Sequence, residues 1–292
     1  MDTRKNIELK IIFWTIAAVF SLFLALPLLV LLGRSFVGDQ GVTLEFYRSV
    51  IADRKFLPAL GNSFLVAAAA ALAATVIAFV LAYMIHYTNA PLWLKQAVRA
   101  AAMLPMFLPT ITYGFAIIYS FGKQGLITRL LGTQLFDLYG FMGLMTGYVI
   151  YTIPVAFLLI HNTMGYIDKK TLVVSKVMGD GTFSTFWIAV VRPLLGTLAG
   201  AFIQAFFLSF TDFGIPASVG GSYDVVAAIL YNKMIGGIPD FNRGAVVAVI
   251  MLIPSIGSIC ILRILERFNI RYNRISDIDL KKDPARDISC LL

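Results

Sequence analysis

Long apolar runs alternate along this chain with short charged stretches. Crossing a bilayer's hydrocarbon core takes about 20 predominantly apolar residues in a helix. Six runs reach that length: 11–33, 59–85, 102–122, 141–160, 194–213 and 244–262. The first carries no charge, is too long for the apolar part of a signal peptide and is followed by no small-residue cleavage site, so it reads as an uncleaved helix. The pattern predicts an all-α polytopic membrane protein of six transmembrane helices. Residues 1–10 form an N-terminal segment, 11–262 the membrane domain with a long loop at 161–193, and 263–292 a polar tail.

Composition sharpens this picture. Of the 292 residues, 59% are hydrophobic and 14% charged, with a mean hydropathy of +0.83. A soluble domain would lack the polar groups to cover its outside, whereas an apolar solvent removes the problem. The net charge of +8 forms no continuous stripe, which argues against nucleic-acid binding. Basic residues instead collect in alternate loops. The N-terminus, 86–101, 161–193 and the tail together hold sixteen Lys and Arg, and the other three loops hold eight. By the positive-inside rule the richer side is cytoplasmic, with both termini there. Cys260 and Cys290 match no metal or disulfide spacing and are expected as free thiols.

Several chemistries find no support. There is no Gly-x-x-x-x-Gly-Lys-Ser/Thr phosphate loop, zinc-helix motif or nucleophile elbow, so the chain itself is not expected to be an enzyme or to hold a cofactor or metal. His86 and His161, the two histidines, read as residues at helix ends. The runs are almost free of ionisable groups, unlike an ion-coupled carrier. Asp212, near the end of the fifth run, is the exception.

The loop at 161–193 carries the most information. Asp168 is placed to cap a helix in which Leu172, Ser175, Lys176 and Gly179 share helical spacing, with Val173, Val177 and Met178 as apolar contacts. Gly179 can end that helix, and Phe183, Phe186 and Trp187 begin a second short amphipathic one before Pro193. Two short helices joined at a glycine make a knob able to dock in a groove.

At this loop the chain resembles the permeases of binding-protein-dependent ABC importers. That family carries Glu-Ala-Ala-x-x-x-Gly in a cytoplasmic loop closed by a proline. Gly179, Phe186 and Pro193 match, while Val173, Val174 and Ser175 stand where Glu-Ala-Ala is expected. Asn62-Ser63, Ala82-Tyr83 and Leu104-Pro105 with Leu108-Pro109 extend the likeness. The run from Ser209 to Pro216 is similar to the subgroup importing ferric iron, 2-aminoethylphosphonate, polyamines or thiamine. The resemblance implies a type I importer fold in a bacterial inner membrane. It also implies two ABC ATPase subunits that bind the ATP, a second permease of the same or a sister chain, and a periplasmic or lipid-anchored solute-binding protein. Coupling to the ATPase would fall to Val173, Val174, Ser175, Gly179, Phe183 and Phe186. Thr211, Asp212 and Gln204 are candidates for the translocation path or gate, with Asp212 equally readable as a cap at the helix end. Pro105 and Pro109 should kink the third span, and Gly143 with Gly147 should permit close helix packing. Ferric iron and 2-aminoethylphosphonate are the favoured substrates, and an ATP-independent carrier or channel is the rival class.

Overall fold

The structure is a computed structural model that describes residues 2–38, 41–167, 170–236 and 238–273; the side chains at 2–9, 173, 176 and 266–273 are not described. Helices α1 (Asp2–Phe20) and α2 (Leu26–Phe36) make the first apolar stretch. A two-residue hairpin, β1 (Val37–Gly38) with β2 (Gly41–Val42), and α3 (Glu45–Ile51) follow. Then come α4 (Phe56–Tyr87), α5 (Leu92–Met103), α6 (Thr110–Phe121), α7 (Leu126–Leu131) and α8 (Phe141–Tyr166). The second half contains α9 (Lys170–Val177), α10 (Thr182–Phe186), α11 (Arg192–Thr211), α12 (Gly214–Val219), α13 (Val226–Ile235) and α14 (Phe241–Asn273). Five helical stretches are long and apolar enough to cross a membrane, and a bent pair makes up to six.

The centre is α4, packed along α8 and α11. Its buried stripe is alanine at 67, 70, 71, 74, 78 and 82. Lipid tails are as apolar as these side chains, so close backbone approach and dispersion hold the helices together, which favours small residues. At one end the stripe meets Phe157, Ile160 and Met164 of α8 and Leu194 of α11. Farther along, Val66 and Ala70 meet Tyr148 of α8 and Ile215 and Val219 of α12.

Proline shapes three of the long elements. Two π-turns, Ser21–Ala25 and Trp187–Val191, each end two residues before a proline, Pro27 and Pro193. A proline donates no hydrogen bond and crowds the carbonyl four residues back. One extra residue in the turn relieves that crowding; the Arg192 N–H accordingly reaches back five residues to the Trp187 carbonyl. The helix therefore runs unbroken from Thr182 to Thr211. The expected second short amphipathic helix around Phe183, Phe186 and Trp187 begins as α10 and runs on without a break into this span.

The third span also departs from expectation. It is broken, not kinked: Leu92–Phe107 and Thr110–Leu131 meet at 115°. Pro109 forces Leu108 into an extended conformation, φ −101° and ψ 141°, which a helix cannot absorb. The Tyr113 hydroxyl donates to the carbonyl of Pro105 and, at 3.4 Å, to that of Leu108, so acceptors freed by the break are satisfied internally.

Two boundaries move. The last helix continues to Asn273, eleven residues past the predicted end at 262, so the tail begins as helix. The stretch 214–243, between the fifth and sixth apolar runs, contains α12 and α13, and Gly214, Ile215, Pro216 and Val219 of α12 are buried in the bundle. The predicted cap Asp168 and the tail from 274 to 292 with Cys290 lie outside the described residues.

Candidate coupling and translocation sites

Helix α9 ends in a tight turn at Gly179, whose φ is +81°. An added Cβ there would meet nothing within 4 Å, so the glycine is demanded by backbone conformation, not by space. Across the turn, the Ser175 hydroxyl donates to Asp180 Oδ2 at 2.5 Å and lies 3.1 Å from the Thr185 hydroxyl. The Asp180 N–H bonds to the Ser175 carbonyl at 3.1 Å. Ser175 and Thr185 are buried, so together they fasten α9 onto α10.

This lock sorts the predicted coupling residues into two groups. Val174 and Phe183, with Val177 and Met178, stand outside with exposures of 56%, 78%, 82% and 77%. They form an apolar knob. Ser175 and Phe186 turn inward. The Phe186 ring meets Tyr83 and Phe79 of α4 edge-on, with centroids 5.7 and 6.2 Å apart. Phe186 thus joins the knob to the central helix. Nothing is described of the Val173 side chain.

The structure also brings together two residues that the sequence offered separately. His86 Nε2 and His161 Nδ1, 75 positions apart, lie 3.0 Å from one another. One imidazole donates and the other accepts, which requires a neutral acceptor nitrogen. Phe157 stacks on His161 at 5.1 Å. The pair clips α4 to α8 one turn from Tyr83. The available signal was their placement at the same end of the second and fourth predicted spans.

Asp212 sits at the break between α11 and α12 and is buried. Its Oδ2 accepts the Ile215 N–H at 2.9 Å and its carboxylate also bonds the Thr110 hydroxyl. It caps α12 and ties it to the start of α6. That contact depends on Gly214, where a Cβ would fall 2.2 Å from Thr110 Oγ1 and 2.7 Å from the Ile111 nitrogen. Gly147 similarly faces Ile215 across α8 and α12, so this small residue serves packing inside the chain. Thr211 is exposed, with its hydroxyl on the Phe207 carbonyl at 2.9 Å. Gln204 is half-buried seven positions earlier, on the same face of α11 as Thr211. The predicted trio therefore splits: Thr211 and Gln204 share a face, and Asp212 points into the bundle.

Asn62 and Ser63 also gain a physical role. Asn62 Nδ2 donates to the Asp224 carbonyl at 3.1 Å, and Ser63 Oγ accepts the Val226 N–H at 2.9 Å. Ion pairs Lys55–Asp224 and Lys233–Asp53, each at 3.9 Å, surround these bonds. They hold the start of α4 against the segment that leads into α13.

The arrangement of these helices as a whole has a counterpart among solved structures. A chain of a bacterial ABC transporter that imports the acidic polysaccharide alginate superposes with a TM-score of 0.76, covering 92% of this chain and 97% of that one at 12% identity. The fold is that of a membrane subunit of an ABC importer. Sequence comparison points the same way. The ferric transport system permease FbpB of Actinobacillus pleuropneumoniae is 24% identical over 251 residues, 84% of this chain and 34% of that protein. The molybdenum transport system permease ModB of Azotobacter vinelandii is 30% identical over 134 residues, 44% of this chain and 58% of that one. This chain spans about a third of the length of the ferric permeases it matches. No protein-family model matches the sequence.

Proposed function

We propose that this chain is a permease subunit of an ATP-driven importer in a bacterial inner membrane. The observation that carries the reading is the fold, which corresponds over 92% of the chain to a subunit of an alginate importer. The knob of Val174, Val177, Met178 and Phe183 faces the cytoplasm, as both termini do, and docks on an ABC ATPase. Two such ATPases close on ATP and push the paired knobs. Phe186 passes the movement to Tyr83 and Phe79 of α4, and the continuous helix Thr182–Thr211 passes it to α11. A second permease completes the path, because one bundle encloses only half of it. Gln204 and Thr211 line that path, and Asp212 holds the wall behind them. A periplasmic or lipid-anchored binding protein delivers the solute to the opposite face.

For the substrate we favour ferric iron over 2-aminoethylphosphonate, since relatives matched over 80% and 84% of this chain are ferric permeases. The deciding experiment reconstitutes the permease pair in liposomes with and without its ATPase and binding protein. Iron uptake that requires ATP and both partners is expected. Uptake by the purified chain alone would favour an ATP-independent carrier. Impermeant thiol labelling of a cysteine placed at Gly179 from the outer face of intact cells would contradict the orientation.

A further inference from the structure

The inward face of the continuous helix Thr182–Thr211 changes step at the π-turn Trp187–Val191. On the C-terminal side, Leu194 and Ala201 are buried seven positions apart, the spacing of one helix face. On the N-terminal side, Thr185 is buried and Phe186 meets the rings of Tyr83 and Phe79. Phe186 stands eight positions before Leu194. A regular α-helix, at about 100° per residue, would turn those two side chains about 80° apart. It would carry Thr185, one position farther, to the side opposite Leu194. A π-turn spends one residue on a wider turn. The seven steps that remain bring Phe186 within about 20° of Leu194. Ala189 and Val190, adjacent and both buried, mark where the face changes step.

We infer that Pro193 is a positioning residue for coupling: through the π-turn it sets the rotational phase of α10, so that Phe186 and Leu194 face the bundle together. The inference rests on the permease reading above and concerns how movement of the knob enters the bundle. Pro193 has no N–H for the Ala189 carbonyl, and its ring crowds that carbonyl. An ordinary residue there would leave the regular spacing open, and π-turns are otherwise rare. The first apolar stretch supplies an independent instance. There the π-turn Ser21–Ala25 also ends two residues before a proline, Pro27, yet it contains no buried residue. Packing cannot have produced that turn, so the proline did. In the bundle the same device acquires a use. Leu194 packs with the alanine stripe of α4 and with Phe157 of α8, and Phe186 reaches Tyr83 and Phe79 of α4 from the same face. One step out of phase, Phe186 would point past α4, and a push on the knob would turn the helix without moving its neighbour.

The test measures ferric iron taken up per ATP hydrolysed by the full transporter in proteoliposomes. Pro193→Ala is expected to lower that ratio about 10-fold, the scale on which residues between two coupled sites act. Deleting Ile188, an exposed member of the π-turn, from the Pro193→Ala chain removes the extra residue. A regular α-helix then puts Phe186 back in step with Leu194, and the ratio should return to the wild-type value. Deleting Val191 instead should do the same. A role for Pro193 in stability alone predicts no such rescue, because each deletion removes contacts and adds none. The proposal is overturned if Pro193→Ala keeps the wild-type ratio, or if neither deletion restores it. A wild-type chain that binds no ATPase subunit would overturn the permease reading itself, an outcome separate from the first two.

Discussion

Two aspartates mark two breaks in the helical path, and they are used in opposite ways. Asp212 is buried, and its carboxylate is spent on the Ile215 N–H and the Thr110 hydroxyl. Asp180 is exposed and its described bond is from Ser175, through Oδ2. The first break is closed: its carboxylate holds α12 in the bundle. The second is open: the turn is fixed from inside while its apolar residues and its carboxylate remain on the surface. A break buried in a membrane protein must satisfy its own polar groups, because no water is there to do so. A break outside the membrane can leave them for a partner.

The strongest challenge to this contrast is Gly214→Val. Its Cβ would meet Thr110 Oγ1 at 2.2 Å and backbone of Ile111 at 2.7 Å, so the short helix must move. Overpacking of this kind costs about 1–3 kcal/mol, and the melting temperature of the purified chain should fall accordingly. An unchanged melting temperature would mean that α12 does not pack against α6 as described. Asp212→Ala comes next, with a loss of about 0.5–2 kcal/mol expected for a missing cap. Asp212→Asn should keep stability almost intact, because asparagine caps as well as aspartate does. Transport by that variant sharpens the assignment: wild-type uptake means that the carboxylate is a cap alone, and lost uptake with intact stability means that its charge also serves the path.

Effects at the open break should be smaller in stability and larger in coupling. Gly179→Val places a branched residue at φ +81°, a conformation that costs about 1–2 kcal/mol for residues with a Cβ. The open surroundings of the turn let it relieve that strain by local rearrangement, so membrane insertion and melting should stay near wild type while ATPase association is lost. Ser175→Ala should be the mildest change, removing a hydrogen bond worth about 0.5–1.5 kcal/mol. Hydrogen exchange should rise across 170–186 and nowhere else. A global fall in stability from either variant would erase the distinction between the two breaks.

Much of this was legible in the sequence because a membrane imposes simple rules. The apolar runs at 59–85, 141–160 and 244–262 correspond to α4, α8 and α14, since every backbone group in lipid must be paired within a helix. Gly179 could be read as a turn for a similar reason, as only glycine adopts that conformation without cost. Ser175 and Phe186 were legible as members of the loop, but not as its inward face. Facing depends on how α10 continues into α11, and that continuity depends on a π-turn that Pro193 induces and no periodicity announces. The break at Leu108 carried a sequence signal in Pro105 and Pro109, but its 115° angle is set by Tyr113 and by packing on α8 and α12.

By itself, then, the amino-acid order determined the membrane class, the helical runs and the turn at Gly179, because these follow from local rules of solvation and backbone geometry. The tertiary structure alone decided that His86 pairs with His161, that Asp212 caps α12 against Thr110, and that Asp180 shares a cleft with Tyr83. Each of those contacts joins residues far apart in the chain, and its distance is set by how closely whole helices approach, a quantity that no local pattern encodes.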